Sequence, residues 1–342
     1  MSRKAADTPS ENRETDAGEQ GTDASTPSAS DTNFYPSSGT DSPAAVSSAL
    51  SSVQPLSPQS TNSPSTNSLL SGKRIGIIGA GAMGGAMCRG LIHANAADPK
   101  RIVVADLHAD HVQNLHNTLG IKVADNNIQI ARFTDIIILA VKPHTVPAVL
   151  DEIADALKRD GGKPLPLLIC IAAGVPLAKI EAHLKDAIPA IRAMPNTPAQ
   201  VGAGACAYCA GKHADEVHKE QAAAIFRSVG NAVEVPEALM NAVTALSGSG
   251  PAYVYLMIEA LVDGGVKVGL PRDIASQLAA QTVLGAAQMV IETGMHPAQL
   301  RDMVTTPAGT TIEAIASLEH SGVRAALIDA VERATQRGRE LA

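Results

Sequence analysis

The sequence predicts a doubly wound α/β domain with a mostly parallel sheet, followed by an all-α domain. From Lys73 onward, short apolar runs rich in β-branched residues alternate with segments of helical period. Uninterrupted apolar strands separated by helices are typical of a parallel sheet that helices cover on both faces. After Pro236 the strand patterns stop and only helical patterns follow. We therefore place the boundary between the two domains at this proline.

The first 71 residues differ from the rest of the chain, because nearly half of them are Ser, Thr or Pro. Such a segment has too little apolar surface to offset the entropy lost on ordering, so we expect it to be disordered. The predicted organisation is a tail over residues 1–71, a sheet domain over residues 72–236 and a helical domain over residues 237–342.

Apolar runs and helical periodicity predict the individual elements. The predicted strands are Arg74–Ile78, Ile102–Ala105, Ile136–Val141, Leu167–Ile171 and Ala190–Arg192. The predicted helices are Ala82–Ala94, Ala109–Leu119, Val146–Leu157, Pro251–Gly269, Pro271–Ile291, Pro297–Met303, Thr310–Leu318 and Val323–Arg339. Because so small and apolar a helical domain has little core of its own, we expect it to pack against a second copy of the chain.

The composition argues against several classes of function. The net charge is -7 and aromatic residues make up 2% of the chain, so neither a basic surface nor a stacking platform for nucleic acid is expected. The stretch Pro251–Leu270 carries Glu259, Asp263 and Lys267 on one helical stripe, which predicts a buried helix rather than a membrane span. The polar, acidic start of the sequence lacks the pattern of a targeting peptide, so we expect a cytoplasmic protein.

The four cysteines lie among apolar or small residues, which is typical of free thiols in a reducing compartment. Two of them, Cys206 and Cys209, precede His213 and His218 in a spacing that suggests a zinc site. The gap between the pairs is too short for a zinc finger, and cysteines three apart on a strand point to opposite faces. We therefore expect no metal site here.

A glycine-rich turn, Gly79-Ala80-Gly81-Ala82-Met83-Gly84, joins the first predicted strand to the first predicted helix. In this pattern the first glycine permits a tight turn, the second lets the backbone approach a pyrophosphate, and the third lets helix and strand pack closely. The following helix N-terminus offers free N–H groups to phosphates. The pattern alone is also compatible with a structural turn, but its place between a strand and a helix predicts dinucleotide binding.

Three positions near the ends of predicted strands are further candidates for cofactor contact. Asp106 ends the second strand, where a carboxylate accepts a hydrogen bond from the ribose 2′-hydroxyl and favours NAD(H); the alternative is a solvated loop acid. Lys142-Pro143 follows the third strand, at the edge where open α/β sheets bind ligands. Asn127 opens a helical stretch, where it either caps the helix or contacts a ribose.

A polar segment near residue 309 is the candidate substrate site. Thr310 and Glu313 have the spacing of a capping box, which predicts that a helix begins there. The free N–H groups of Gly309, Thr310 and Thr311 then form a small anion site suited to one carboxylate. The alternative is a plain capped helix without a ligand.

Two loops are expected to complete the pocket between the domains. Asn196 lies in a stiff loop between two prolines, where it contacts the nicotinamide side of the site or serves a structural turn. Residues 247–250 form a Ser-Gly repeat before Pro251, which predicts a flexible turn into a helix N-terminus at the substrate pocket.

Five motifs occur in the order typical of one enzyme family. They are Ile77–Gly84, Ala140–Pro143, Arg192–Pro198, Leu246–Tyr253 and Thr305–Glu313. Together they resemble the pyrroline-5-carboxylate reductases, over about residues 73–341, with the N-terminal tail outside the resemblance. The last two motifs are specific to that family, whereas many oxidoreductases share the glycine turn.

The resemblance implies hydride transfer from NADPH or NADH to 1-pyrroline-5-carboxylate, which gives L-proline in the last step of proline biosynthesis. It also implies an obligate homodimer, often assembled into a decamer. The residues assigned to cofactor binding are Gly79, Ala80, Gly81, Ala82, Met83, Gly84, Asp106, Asn127, Ala140, Val141, Lys142, Pro143 and Asn196.

The resemblance and the local patterns together give the candidate substrate residues. Thr311 matches the family's substrate-contacting threonine and is expected to bond the ring nitrogen. The other residues assigned to substrate binding are Thr306, Gly309, Thr310 and Ser249. No general acid is assigned, because a protonated cyclic imine already accepts hydride and needs mainly to be oriented. The family usually has Gly-Gly at Ala308-Gly309, so Ala308 is expected to weaken substrate binding if that position needs positive φ or the close approach of a ligand.

Two alternative functions share the predicted fold. β-Hydroxyacid dehydrogenases have a glycine turn and a helical second domain, but they use a catalytic Lys on a helix after the sheet. The corresponding segment here, Ser247–Tyr253, contains no Lys, which disfavours them. The other alternative is a non-catalytic dinucleotide sensor, which would bind cofactor without turning over substrate.

Overall fold

A single mixed sheet organises the N-terminal part of the computed structural model, which describes residues 69–159, 164–185 and 187–341. Its strands are β1 (Ile75–Ile78), β2 (Ile102–Ala105), β3 (Lys122–Val123), β4 (Ile136–Leu139), β5 (Leu167–Cys170), β6 (Ala190–Met194), β7 (Gly204–Ala210) and β8 (Gly230–Glu234). Their spatial order is β3-β2-β1-β4-β5-β6-β7-β8, and every neighbouring pair is parallel except β6 and β7. The predicted doubly wound, mostly parallel sheet is confirmed.

The strand order reverses between β1 and β4, because the chain moves outward from β1 to β3 and then returns to the other side. Loops that leave two adjacent strands in opposite directions open a crevice at the carboxyl ends of those strands. The glycine turn follows β1 and the Lys142-Pro143 segment follows β4, so the topology brings these two predicted cofactor segments to one crevice.

Helices cover both faces of the sheet. They are α1 (Ala82–His93), α2 (Ala109–Leu119), α3 (Asn127–Phe133), α4 (Val146–Ile153), α5 (Leu177–Ala182) and α6 (Glu216–Arg227). Alternate residues of β4 enter different clusters: Ile136 and Ile138 pack with α1 and α6, while Ile137 and Leu139 pack with α3, α4 and α5. The apolar strand pattern is therefore explained by burial on two sides.

The C-terminal domain is built from helices alone in the part of the chain that is described. They are α7 (Met240–Val243), a π-helix (Thr244–Gly248), α8 (Gly250–Lys267), α9 (Arg272–Thr293), α10 (Pro297–Met303), α11 (Thr310–His320) and α12 (Val323–Leu341). Gly269, Gly294 and Gly322, at the breaks between helices, all have positive φ, which a glycine adopts without strain.

The helical domain has only a small core of its own. Its one buried cluster consists of Val262, Ala275 and Ala279, where α8 packs against α9. The expectation that Pro251–Leu270 forms a buried helix is wrong, since only Val262 is buried on α8. Large apolar side chains remain exposed along α8, α9 and α12, as expected of a surface completed by another chain. The helix α9 is also long and apolar enough to cross a membrane by length and composition alone, a test that core helices of soluble proteins pass as well.

The predicted elements agree with the structure to within about two residues at most ends. The structure adds β3, β8, α5, α6, α7 and the π-helix over residues 244–248, which the strand and helix predictions did not include. The folded region also begins earlier than predicted, because Leu70 is only 1% exposed and packs in the main cluster. The rest of the predicted disordered tail, residues 1–68, lies outside the described residues.

All four cysteine thiols are free and buried. Burial raises the pKa of Cys88 and Cys209 to about 12 and that of Cys170 to about 11, and it raises the pKa of Cys206 further. Cys206 and Cys209 belong to the clusters on opposite faces of the sheet. Among the described residues, no group of three or more His, Cys, Asp or Glu side chains is placed to hold a metal ion.

We expect the native protein to leave its four thiols unmodified by DTNB at pH 8, because a pKa of about 12 leaves only about one thiolate in 10,000. In denaturant all four should react. In the unfolded chain each thiol has a lower pKa, near 9. The buried thiols therefore contribute fully to the free energy of unfolding below about pH 9, and this contribution falls as the pH rises above that value. Fast reaction of any thiol in the native protein would contradict the burial.

Candidate active site

The glycine turn after β1 has the geometry that its sequence predicts. Gly79 has φ +104, and a Cβ there would lie 2.6 Å from the carbonyl oxygen of Ala140, so only glycine fits. At Gly84 a Cβ would overlap the carbonyl oxygen of Gly79. These two glycines therefore serve the tight turn and the close packing of α1 on the sheet.

Gly81 differs from the other two glycines of the turn. No atom lies within 4 Å of the position where its Cβ would be, and its φ is negative, so the fold itself does not require glycine. The open space adjoins the first residue before α1. This cradle, which a side chain would fill, fits a pyrophosphate against the backbone.

The N-terminus of α1 points its unpaired N–H groups into the same space. The N-cap residue, Gly81, has no side chain that could accept a hydrogen bond from these groups. The first hydrogen bond of the helix runs from the Gly85 N–H to the Gly81 oxygen at 2.8 Å. The N–H groups of Ala82, Met83 and Gly84 therefore have no intrahelical acceptor. With no acidic residue in the first turn, this end of the helix attracts an anion.

Asp106 lies directly after β2 and contacts the glycine turn. Its Oδ2 accepts a hydrogen bond from the Ala80 N–H at 2.5 Å, and its Oδ1 accepts one from the His108 N–H at 2.8 Å. The carboxylate is therefore held at the carboxyl end of β2, beside the turn. This position is where a Rossmann-type site places the ribose-binding acid.

The segment after β4 forms the opposite wall of the crevice. The Ala140 N–H donates to the Ile78 oxygen at 2.8 Å, which joins this wall to β1 just before the glycine turn. Val141 and Lys142 follow, and Pro143 begins a short 3₁₀ turn over residues 143–145. The predicted placement of this segment at the crevice agrees with the structure.

Asn127 does not cap α3. The N-cap is Asn126, whose side-chain oxygen accepts from the Gln129 N–H at 2.9 Å, while the Asn127 amide donates to Glu152 at 2.8 Å. The capping alternative is therefore wrong by one residue, because two adjacent asparagines gave the sequence no means of choosing between them. Contact of Asn127 with a ribose stays a prediction.

Asn196 links the sheet domain to the helical domain. Its side chain is 8% exposed, accepts from the Ala205 N–H at 2.9 Å and donates to the Ser247 carbonyl at 3.0 Å. Both bonds support the structural alternative for this residue. Its contact with a nicotinamide stays a prediction.

The Ser-Gly segment at 247–250 is helical rather than a flexible turn. Residues 244–248 form a π-helix, closed by the bond from the Ser249 N–H to the Thr244 oxygen at 2.8 Å, and α8 continues directly from it. Gly248 packs so closely on Met194 that a Cβ would lie 2.6 Å from the Met194 Cε. Single-turn π-bulges occur frequently at functional sites, and this one lies against the end of β6.

An ion pair between a buried arginine and a half-exposed glutamate, which the sequence patterns did not predict, joins the same two domains. Arg192 on β6 is 5% exposed, and its guanidinium donates to Glu237 at 3.0 Å, at the start of the helical domain. The same Glu237 oxygen accepts from the Leu177 N–H at 2.6 Å. An arginine inside an otherwise apolar strand was the signal available in the sequence, since a buried cation requires a partner.

The candidate substrate loop is a tight turn into α11. The Gly309 N–H donates to the Thr306 oxygen at 3.0 Å, with Pro307 second and Ala308 third in the turn. Ala308 has φ +55, so this chain places an alanine where a turn with Pro in second position favours glycine. The conformation that the family's usual glycine adopts easily is thus adopted here with strain.

The capping box expected at Thr310 and Glu313 is not formed. Thr310 is the first residue of α11, as predicted, but the N-cap is Gly309, which has no side chain to cap the helix. The N–H of Gly309 is also engaged in the turn, so it is not free as expected. The N–H groups of Thr310 and Thr311, in the first turn of α11, lack intrahelical acceptors.

The structure brings the cofactor segments together but leaves the substrate loop separate from them. Hydrogen bonds of residues 305–309 stay within α10 and its following turn, and none in the described part of the chain joins this loop to the sheet domain. Ser249 lies at the junction of the π-helix and α8, next to Gly248, which packs on Met194 of β6. Within the described residues, one chain therefore brings the candidate cofactor segments to one crevice, while the candidate substrate loop lies on an exposed helical surface without a hydrogen bond to that domain.

A Rossmann-type sheet with this turn, followed by a helical domain, defines an NAD(P)-dependent oxidoreductase. Residues 74–161 match the family model described as NADP oxidoreductase, coenzyme F420-dependent, and residues 237–341 match the model described as pyrroline-5-carboxylate reductase dimerisation. The chain belongs to the pyrroline-5-carboxylate reductase family, and it carries the dimerisation domain of that family.

Individual relatives support this assignment along the whole folded region. The pyrroline-5-carboxylate reductase of Methanosarcina acetivorans is 48% identical over 269 residues, covering 79% of this chain and 98% of that protein. The solved structure of the Coxiella burnetii reductase superposes with a TM-score of 0.74 at 40% identity, covering 79% of this chain and 98% of that one. The Plasmodium falciparum reductase, solved with NADP bound, gives a TM-score of 0.70 at 33% identity, with the same two coverages.

Proposed function

We propose that this chain is a reductase that converts 1-pyrroline-5-carboxylate to L-proline with NADPH or NADH, in the last step of proline biosynthesis. The observation that carries the proposal is the open cradle at Gly81, which faces three unpaired N–H groups at the start of α1, in a chain with 48% identity to a reductase of this name. Bound there, the reduced nicotinamide cofactor supplies the hydride that is added to C5 of the ring.

The sheet domain binds and orients the cofactor. The N–H groups of Ala82, Met83 and Gly84 hold its pyrophosphate, and the Asp106 carboxylate holds the adenosine ribose. The segment Ala140–Pro143 forms the wall beyond β4, towards the nicotinamide end. These residues fix the cofactor without supplying any acid or base to the reaction.

The start of α11 binds the substrate. The N–H groups of Thr310 and Thr311 are suited to one carboxylate, and the positive end of α11 favours that charge. The Thr311 hydroxyl accepts a hydrogen bond from the protonated ring nitrogen and so orients the C=N bond. When hydride adds to C5, the C=N π electrons go to nitrogen, which already carries its proton, so no general acid is needed.

A second copy of the chain brings the two halves of the site together. The substrate loop has no hydrogen bond to the sheet domain of its own chain in the described residues, and the helical domain leaves apolar side chains exposed on α8, α9 and α12. Packing two such surfaces together removes them from water and places each substrate loop next to a partner. Assembly of the dimers into a decamer, and a location in the cytoplasm, are predictions that accompany this function.

The test is a steady-state assay of the purified full-length chain with 1-pyrroline-5-carboxylate and each of NADH and NADPH. We expect substrate-dependent oxidation of at least one cofactor and formation of L-proline, with a dimer or larger species in light scattering. Cofactor binding without turnover would favour the non-catalytic sensor. A monomer with full activity would contradict the shared site.

We expect Thr311→Ala to lower kcat/KM for 1-pyrroline-5-carboxylate by roughly 10- to 100-fold, since a hydrogen bond to a charged group contributes about 1.5–3 kcal/mol. The matched control is Thr118→Ala on α2, outside the candidate site, because the exposed Thr118 hydroxyl donates to the Asn114 carbonyl at 2.7 Å. Steady-state kinetics and the melting temperature of both variants provide the measurement. Equal kinetics for the two variants would remove Thr311 from the site.

Ala308→Gly is expected to raise the free energy of unfolding by up to about 1 kcal/mol, because glycine adopts φ +55 without the strain that a Cβ imposes. The control Ala316→Gly, in the middle of α11, should lower the same quantity by about 1 kcal/mol. Urea unfolding at one protein concentration compares them. A loss of stability in both variants would contradict the left-handed conformation of Ala308.

A further inference from the structure

The end of β2 carries an acid that the structure ties into the glycine turn, and from it we infer that this chain selects NADH over NADPH, with Asp106 as the residue that discriminates. This inference rests on the proposed function, because it concerns the cofactor of the same site. It also departs from the Plasmodium falciparum relative, which was solved with NADP bound.

The Asp106 carboxylate is held in one position beside the glycine turn. Its two oxygens are fixed by the N–H groups of Ala80 and His108, at 2.5 Å and 2.8 Å. Ala80 lies inside the turn that holds the pyrophosphate, so the carboxylate is fixed at a short distance from it. Each oxygen has a further lone pair, which accepts a hydrogen bond from a ribose hydroxyl.

NADH and NADPH differ only at the 2′ position of the adenosine ribose. The 2′-hydroxyl of NADH donates to a carboxylate, whereas the 2′-phosphate of NADPH has only negatively charged acceptor oxygens. A carboxylate fixed by two backbone donors has no room to move away without breaking those bonds. The charge repulsion therefore applies to NADPH and not to NADH.

The segment that follows Asp106 carries no permanent cation. Residues 102–121 contain no Lys or Arg, and Lys122 on β3 pairs with Val103, three residues before Asp106. Leu107, immediately after the acid, is 96% exposed and offers no charge to a 2′-phosphate. The nearest basic groups in this segment are His108 and His111, whose ring centroids lie 5.2 Å apart. The same loop and α2 also carry the acids Asp106 and Asp110.

The test measures the dissociation constants of NADH and NADPH by calorimetry on the full-length protein, together with KM for each. We expect NADPH to bind roughly 100-fold more weakly than NADH. The double variant Asp106→Ser, Leu107→Arg should reverse the order, because it removes the repelling charge and adds a phosphate-binding one. The decisive quantity is the ratio of the NADPH and NADH dissociation constants. A variant that only loosened the glycine turn would weaken the binding of both cofactors equally and leave this ratio unchanged.

The matched control is Asp110→Asn, which removes the same charge from the exposed first turn of α2. We expect it to change the ratio less than 3-fold, because an exposed charge that is not fixed at the ribose is screened. Equal or tighter binding of NADPH by the unmodified chain would overturn the inference and leave the reductase function standing. Failure to bind either cofactor would instead overturn the proposed function itself.

Discussion

Gly81→Val is expected to weaken cofactor binding by at least about 100-fold, or about 2.7 kcal/mol, while the melting temperature changes little. The reason is that the space beside Gly81 contains no protein atom within 4 Å, so an added side chain enters the volume that the pyrophosphate occupies. The backbone at Gly81 is extended with negative φ, which valine adopts readily. Calorimetric titration with NADH and NADPH measures the effect.

Gly84→Ala is the contrasting variant in the same turn. A Cβ at this position would overlap the Gly79 carbonyl oxygen, so α1 must move away from the sheet and the protein loses stability as well as affinity. Ala182→Val, at the exposed end of α5, controls for added volume at a remote site. Tight binding by the Gly81 variant would mean that the phosphates do not lie against this turn.

Glu237→Ala is expected to lower the free energy of unfolding by about 3 kcal/mol, because it leaves the Arg192 guanidinium, only 5% exposed, without its carboxylate. It also removes the acceptor of the Leu177 N–H. Glu237→Gln keeps a side-chain oxygen for that N–H and loses the charge, so it should cost less. Urea unfolding at a fixed protein concentration separates the two, since dimerisation makes stability depend on concentration.

The surface pair of Arg74 and Asp135 is the control for this prediction. Burial alone would raise the pKa of Asp135, but hydrogen bonds and the charge of Arg74 outweigh it and hold that pKa below its ordinary value. The Arg74 side chain is nevertheless 50% exposed, so Arg74→Met should cost at most about 1 kcal/mol. Equal losses at the two pairs would show that the Arg192 pair is not effectively buried.

Local sequence patterns were sufficient for most of the sheet domain. The β1–turn–α1 unit was predicted because its glycines are required by steric limits within a short segment. The structure shows these limits at Gly79 and Gly84, where a Cβ would come too close to a backbone carbonyl oxygen. The short strand β3 and the mostly exposed strand β8 were missed, because neither has a run of buried apolar residues. The capping predictions failed at Asn127 and Thr310 by one residue, since the choice among neighbouring polar residues depends on where the backbone leaves the helix.

Contacts between distant segments were beyond the reach of sequence patterns. Asn196 and Ser247 are 51 residues apart, and Arg192 and Glu237 are 45 apart, yet these bonds join the two domains. The Ser-Gly repeat at 247–250 suggested a flexible turn, because serine and glycine favour turns in isolation. Packing against Met194 and the carbonyl bond to Asn196 hold it in a helical conformation instead.

The sequence by itself determined the order of elements, the phosphate-binding turn and the family motifs, because each depends on periodicity or on spacing within a short segment. Only the tertiary structure decided that Asp106 is bonded to Ala80, that Gly81 faces open space and that Ala308 has a left-handed backbone. Only the tertiary structure also showed that α8 lies largely exposed. The physical reason is that burial and hydrogen-bond partners are set by residues far apart in the chain, and in this protein by surfaces that one chain leaves uncovered.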